Sequence, residues 1–325
     1  MSTRGAVDAT THESASPAPR KPRALRSGAR LGVIAPASPG EEAPAERGLA
    51  ELEQLGFSVQ RRRAVTSEGY FSAPITERRA ELVRALTDTR IDGVIAVRGG
   101  YGSNYLLDER LEADLGEPKC LIGYSDLTSL QTFVWQRRRW TSIYGPMLNA
   151  LGAGAERENG YDRESLLNAI GRTDGGWSMA LRGETFSDGE AEGRVLGGCL
   201  TLIETTLGTP WELDTRDSIL LLEDRGMKPW QVDRALIHLR QAGKLQQVRG
   251  ILLGDFPDCG PPIEGSPTVR DVCSRILNPL GVPIVFGAPV GHTTRPMLTL
   301  PLGVRARLQA KGEGKLEILE PAVSP

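Results

Sequence analysis

The strongest constraint on how this chain folds is a repeated alternation between short, uninterrupted apolar runs and longer segments with helical spacing. The runs are Leu31–Ala35, Gly93–Val97 and Cys120–Gly123. A stretch that is apolar at every position suits a strand covered on both faces, as in a parallel sheet flanked by helices. Between the runs, Ala43–Leu55 places Leu49, Leu52 and Leu55 on one side, and Thr76–Thr87 does the same with Leu82, Val83 and Leu86. Leu127–Gln136 reads as another helix, while Phe57-Ser58-Val59 and Trp140–Tyr144 add strands. This β-α-β-α order predicts an α/β fold, with a parallel-sheet, Rossmann-like domain over residues 29–150.

A second unit follows. Ser218–Leu222, Gly250–Gly254 and Pro283–Gly287 read as buried strands, and Gln231–Gln241 is amphipathic, with Val232, Leu236 and Leu239 on one face. Val304–Leu308 and Leu316–Leu319 alternate, as in an antiparallel pair with one solvated face. Residues 191–325 are therefore expected to form a smaller, mixed α/β C-terminal domain. The stretch 151–190 is rich in Gly, Asp, Glu and Arg, with a helical patch at Leu166–Ile170, and reads as a linker. Residues 1–28 have Leu25 as their only large aliphatic or aromatic side chain besides Met1 and are rich in Ser, Thr, Ala, Pro and Arg. Such a segment reads as a disordered tail whose loss leaves stability unchanged. The basic residues ahead of Leu31–Ala37 imitate a signal peptide, but the apolar run is short and holds Pro36, so it reads as the first strand.

Composition narrows the functional classes. The 325 residues carry 39 Lys+Arg against 41 Asp+Glu, a net charge of −2, so no global basic field recommends nucleic acid or an anionic membrane as partner. No apolar run approaches the roughly 20 residues that span a bilayer. Cys120, Cys199, Cys259 and Cys273 are widely separated, which excludes a zinc ribbon or a dense disulfide scaffold and favours a reducing, cytoplasmic location. No metal-ligand spacing is present, nor a G-x-G-x-x-G or P-loop pattern, so neither metal nor cofactor is expected. Histidine is scarce: His12, His238 and His292 are the only three.

Four segments carry candidate chemistry. Gly123-Tyr124-Ser125-Asp126-Leu127 lies where a buried strand turns into a helix. A serine on such a turn exposes its hydroxyl, with helix-start N–H groups beside it. Leu127 replaces the last glycine of G-x-S-x-G, and simple helix capping by Ser125 or Asp126 competes. Arg98-Gly99-Gly100-Tyr101-Gly102 follows a strand at the edge where open α/β sheets bind ligands, though a plain tight turn has the same composition. Glu223 ends the run Leu220-Leu221-Leu222; it suits the orientation of an imidazole, or is simply where the strand re-enters water. His292, in Gly291-His292-Thr293, follows another strand in a loop. If a histidine base is used, it is the candidate by elimination, because His12 sits in the tail and His238 on a helix edge.

Taken together with Val33-Ile34-Ala35-Pro36-Ala37-Ser38, these segments resemble the LD-carboxypeptidase family of serine peptidases, in matching order from about Leu31 to Pro321. The family includes muramoyltetrapeptide carboxypeptidases and microcin-C immunity peptidases. The resemblance implies a Ser125-Glu223-His292 triad and an oxyanion hole from the backbone N–H groups of Asp126 and Gly100. It implies release of terminal D-alanine from murein tetrapeptides during cytoplasmic cell-wall recycling. An exopeptidase must also bind a terminal carboxylate: Arg98 is the first candidate, with Arg225 and Arg295 as alternatives and Tyr101 as a further substrate contact. The expected partners are a small muropeptide and a second copy of the chain. Cys199 departs from the pattern, in Gly197-Gly198-Cys199-Leu200, where the family often has asparagine. The alternatives are a microcin-immunity-like peptidase or amidase acting on peptidyl-nucleotide conjugates, with Trp177 as a base platform, an esterase on the same scaffold, and a non-catalytic muropeptide binder. Activity is expected to survive prolonged treatment with EDTA; loss on chelation, restored by zinc, would place the chemistry on a metal.

Overall fold

The computed structural model describes residues 17–62 and 66–325. Its first sheet contains β1 (Arg30–Ile34), β2 (Ser58–Gln60), β3 (Gly93–Ala96), β4 (Cys120–Gly123) and β5 (Ser142–Tyr144), which pair in parallel, with helices Glu42–Gln54, Ile75–Thr87 and Leu127–Arg138 between them. The second sheet contains β6 (Trp177–Ala180), β7 (Glu184–Ser187), β8 (Gly189–Cys199), β9 (Ser218–Glu223), β10 (Gly250–Gly254) and β11 (Ile284–Ala288). The chain then returns to the first sheet with β12 (Leu300–Leu302), antiparallel to β5, and closes the second with β13 (Arg305–Ala310) and β14 (Lys315–Ile318). The first sheet runs β12-β5-β4-β3-β1-β2, and the second β6-β14-β13-β8-β9-β10-β11-β7. Strands β8 to β11 are parallel and the outer pairs antiparallel. The α/β class matches the sequence reading, but the second sheet, with eight strands against six, is not the smaller unit expected, and β12 carries part of the stretch 191–325 into the first sheet.

The two sheets share one apolar core. Leu31, Ile95 and Ile143 of the first belong to the same buried cluster as Val195, Leu221 and Val285 of the second. Among the described residues, no helix is long and apolar enough to cross a membrane.

Two segments differ from their sequence reading. Residues 151–190 hold the helix Arg163–Gly171 and the strands β6 and β7, so they are part of the second sheet's architecture and not a linker. Both strands are only four residues long, too short for their alternation to stand out from the polar residues around them. The neighbouring glycines of β8 reflect close packing: a Cβ on Gly197 would lie 2.0 Å from the Leu221 carbonyl oxygen. The expected tail 1–28 is also ordered where it is described; its residues 1–16 lie outside the described residues. Arg20 N–H donates to the Arg139 carbonyl (2.8 Å), Ala24 N–H to Ser324 (2.8 Å), and Leu25 N–H to Ile170 (2.8 Å). Leu25 is 4% exposed. Composition missed this because backbone pairing needs no apolar stripe, and one leucine is enough to seat the segment.

Contrary to the tail reading, removing residues 1–28 is expected to lower the melting temperature clearly. Leu25→Ala alone should cost about 2–3 kcal/mol in urea unfolding; a wild-type midpoint for both would show that the segment does not hold the body together.

Candidate active site

Ser125 sits between β4 and the helix Leu127–Arg138 with φ 62°, a left-handed conformation rare for a residue other than glycine. Such strain is typical of a nucleophile turn, where it lifts the hydroxyl off the sheet edge. Leu127, at the position of the missing glycine, is fully buried, and the close approach occurs instead at Gly123, where a Cβ would meet Leu127 Cγ at 2.8 Å. The Arg98–Gly102 loop lies directly over the serine. A Cβ on Gly99 would lie 2.8 Å from both Cβ and Oγ of Ser125. Gly100 has φ 109° and packs on Ser38, whose Oγ accepts the Tyr101 N–H at 3.2 Å.

Asp126 ties this loop to the turn. Its carboxylate accepts the N–H groups of Gly102 (3.3 Å) and Ser103 (2.8 Å), and its carbonyl accepts the Ser103 hydroxyl (2.6 Å). Burial pushes the Asp126 carboxyl up, while these donors and Arg78 oppose the shift. Arg78, 2% exposed, donates to the carbonyls of Pro36 (2.7 Å), Ala73 (3.0 Å) and Gly102 (2.8 Å), so it joins the loop after β1 to the glycine loop. Sequence reasoning passed over Arg78. Its signal was an arginine four residues before Leu82 on the buried face of its helix.

The Glu223–His292 pair comes from the other sheet. Glu223, the last residue of β9, is fully buried. Its Oε2 accepts the His292 N–H at 2.8 Å and lies 2.8 Å from His292 Nδ1. Oε1 accepts the Tyr144 hydroxyl at 2.5 Å. Glycine makes room for the carboxylate: a Cβ on Gly291 would lie 2.3 Å from Glu223 Cδ. Burial by itself lowers the imidazole's proton affinity, but the charge and hydrogen bond of Glu223, with Asp224, outweigh it and hold His292 above its ordinary pKa. The Tyr124 ring meets the imidazole edge-on, with centroids 5.2 Å apart.

Ser125 and His292 line one cavity of about 730 Å³, together with Arg98, Gly100, Asn149, Cys199, Asp224 and Arg225. Arg98 makes no ion pair among the described residues, whereas Arg225 Nε donates to Asp258 at 2.8 Å. Arg295 is outside the cavity lining. It pairs with Asp255 (2.8 Å) and donates to the Arg182 carbonyl (3.0 Å), which leaves it a structural task. Tyr101 is also outside, in an exposed aromatic group with Tyr70, Phe71 and Tyr105. Cys199 Sγ lies 3.5 Å from Asp224 Oδ2, which also accepts the Thr201 N–H and hydroxyl. Burial, followed by the charges of Asp224 and Glu223, pushes the Cys199 thiol well up, so it stays protonated. His238 is exposed and paired with Glu204, and His12 lies outside the described residues.

A left-handed serine facing a cavity shared with a carboxylate-bound imidazole defines a serine-hydrolase type of site. Comparison with known proteins narrows the class. Residues 31–145 match the LD-carboxypeptidase N-terminal domain and residues 192–308 its C-terminal domain, so the chain belongs to the LD-carboxypeptidase family of serine-type hydrolases. It is 33% identical over 313 residues to a probable murein peptide carboxypeptidase of Bacillus subtilis, covering 94% of this chain and 95% of that one. It is 30% identical over 274 residues to the murein tetrapeptide carboxypeptidase of Pseudomonas aeruginosa, covering 81% and 88%. Among solved structures, the muramoyltetrapeptide carboxypeptidase of Oxalobacter formigenes superimposes with a TM-score of 0.75 at 26% identity, over 90% of this chain and 99% of that one. The microcin C7 self immunity protein MccF, in its wild-type apo state, superimposes with a TM-score of 0.84 at 25% identity, over 94% and 100%.

Two outcomes follow from this geometry. Gly99→Ala should fold but lose at least about 10²-fold in kcat/KM, because the added methyl displaces the Ser125 hydroxyl. The acid limb of kcat/KM against pH should fall above the ordinary imidazole value of about 6.5, since the base must be neutral and Glu223 favours its protonated form; a limb below that value would contradict the Glu223–His292 pairing.

Proposed function

We propose that the chain is a serine carboxypeptidase that hydrolyses the LD-peptide bond releasing terminal D-alanine from murein tetrapeptides, in cell-wall recycling. The observation that carries the mechanism is the buried Glu223–His292 pair, which shares one cavity with left-handed Ser125. Ser125 attacks the carbonyl of the penultimate residue, and His292 takes the hydroxyl proton. The N–H groups of Gly100 and Asp126 receive the developing oxyanion; neither makes a backbone hydrogen bond among those found in turns and loops of the described residues. His292 then passes its proton to the amine of departing D-alanine. It deprotonates a water that attacks the acyl ester, and Ser125 recovers the proton as the ester breaks. Glu223 holds the imidazole so that Nε2 faces the reaction and stabilises its charge.

Arg98 is the favoured partner of the substrate's terminal carboxylate, being the cavity arginine that makes no ion pair among the described residues. Arg225 is second, because Asp258 already claims part of its charge. The four free, buried cysteines support a cytoplasmic setting. A homodimer is the expected assembly, to be read from its mass by light scattering.

The MccF likeness supports a second reading, on peptidyl-nucleotide conjugates; one MccF structure is described as a complex with aspartyl sulfamoyl adenosine. Trp177 offers that reading no help: it is buried in β6 and is not among the residues lining the Ser125 cavity.

The test compares two tetrapeptides that differ only in a terminal D- or L-alanine. A methyl on the wrong side of Cα displaces the carboxylate from its cation or the carbonyl from Ser125, so kcat/KM is expected to favour D by at least about 10³-fold. Equal values would remove the LD assignment. Ser125→Ala should fold normally and lose on the order of 10⁶-fold in turnover.

A further inference from the structure

We infer that Tyr144 is a positioning residue of this site: its hydroxyl, presented by the first sheet, fastens the Glu223 carboxylate of the second and thereby sets the orientation and basicity of the His292–Glu223 pair. The inference rests on the hydrolase reading above.

The argument begins with the carboxylate. Glu223 is fully buried, so each oxygen needs a donor from the protein. Oε2 has two contacts, both from His292. Oε1 has one among the described residues, the Tyr144 hydroxyl at 2.5 Å. Without it, half of a buried charge would be unpartnered beside the base.

Tyr144 is built to hold that oxygen. It ends β5, paired with Gly123 on one side and Leu300 on the other. Gly123 precedes Ser125 by two residues, so the phenol is fixed in the same rigid frame as the nucleophile. Gly198 lets the second sheet close on the ring: a Cβ there would lie 2.9 Å from Tyr144 Cε2 and 2.7 Å from Thr128 Oγ1. Thr128, in the first turn of the helix that follows Ser125, accepts the Cys199 N–H at 3.1 Å, a second bond across the same seam. Burial, with the Glu223 charge, keeps the phenol protonated and able to donate. The triad is divided between two sheets, and this is the hydrogen bond that refers its carboxylate to the serine's frame.

The other charged or titratable groups facing the pair are Asp224, beside Glu223 in the chain, Arg225 on the same loop, Cys199 at the end of β8, and Tyr124 against the imidazole, with Arg98 beyond it. None of them supplies a hydrogen bond to Oε1 among the described residues.

The experiment replaces Tyr144 in the full chain in two opposite senses. Tyr144→Phe removes the donor and keeps the ring; 3-fluorotyrosine at position 144 strengthens the donor. With the donor gone, the His292–Glu223 pair holds its shared proton more tightly, whichever partner carries it. The Phe chain is therefore expected to lose about 10- to 100-fold in kcat on the tetrapeptide with KM within about threefold, and to shift its acid limb up by about one pH unit. The fluorinated chain should shift the limb down. The imidazole titration is also read by NMR in the Ser125→Ala background, with the His292 signal identified by its loss in His292→Gln. That readout needs no substrate, so it reports on Tyr144 even if the tetrapeptide proves not to be cleaved. Unchanged kcat and titration in Tyr144→Phe, or shifts of the same sign in both proteins, would overturn the inference. If the Phe chain does not fold, an unmoved titration in the fluorinated protein overturns it alone.

Discussion

The site depends on keeping one charge out of water. The Glu223 carboxylate is fully buried between two sheets, and three hydrogen-bonding contacts surround it, two from His292 and one from Tyr144. A carboxylate oxygen without a donor in such a place would be costly to bury. Once satisfied, it fixes the His292 ring and raises its proton affinity against the opposing effect of burial. The position of β9 at the centre of its sheet, between β8 and β10, keeps that carboxylate from moving.

This requirement explains why the two sheets are not independent bodies. Ser125 stands on one and the Glu223–His292 pair on the other, so the cavity they share is a property of how the sheets are docked. Docking is secured by a shared apolar cluster, by β12, which the second half of the chain sends back to the edge of the first sheet, and by the cross-seam bonds of Tyr144 and Thr128. Glycines permit close approach at the site, and Gly198 does so across the seam itself. At Gly99, Gly198 and Gly291 a side chain would intrude on Ser125, Thr128 and Glu223 respectively.

Much of this was legible along the chain. Continuous apolar runs located the central strands because a strand buried on both faces has no polar position to spare. Ser125, Glu223 and His292 stood out because each follows or ends such a run, and because three histidines leave few alternatives. The outer strands β6 and β7 were not legible. Each is four residues long, Trp177-Ser178-Met179-Ala180 and Glu184-Thr185-Phe186-Ser187, too short for a period of two to stand out among polar neighbours. The segment from Arg20 to Leu25 escaped for a related reason: it is held mainly by main-chain hydrogen bonds, which leave no trace in side-chain pattern.

The sequence by itself determined the class of fold and the order of the central elements, and it singled out Ser125, Glu223 and His292 as candidates, since these follow from local periodicity and from which residue types have the needed chemistry. Only the tertiary structure decided that Arg98 and Arg225 face the cavity while Arg295 is spent on Asp255, that Asp126 clamps the glycine loop, and that Tyr144 closes on Glu223. Those facts join residues tens of positions apart, and no short-range pattern encodes them. They arise when two sheets bury a common core and every polar group caught in the seam must find its partner there.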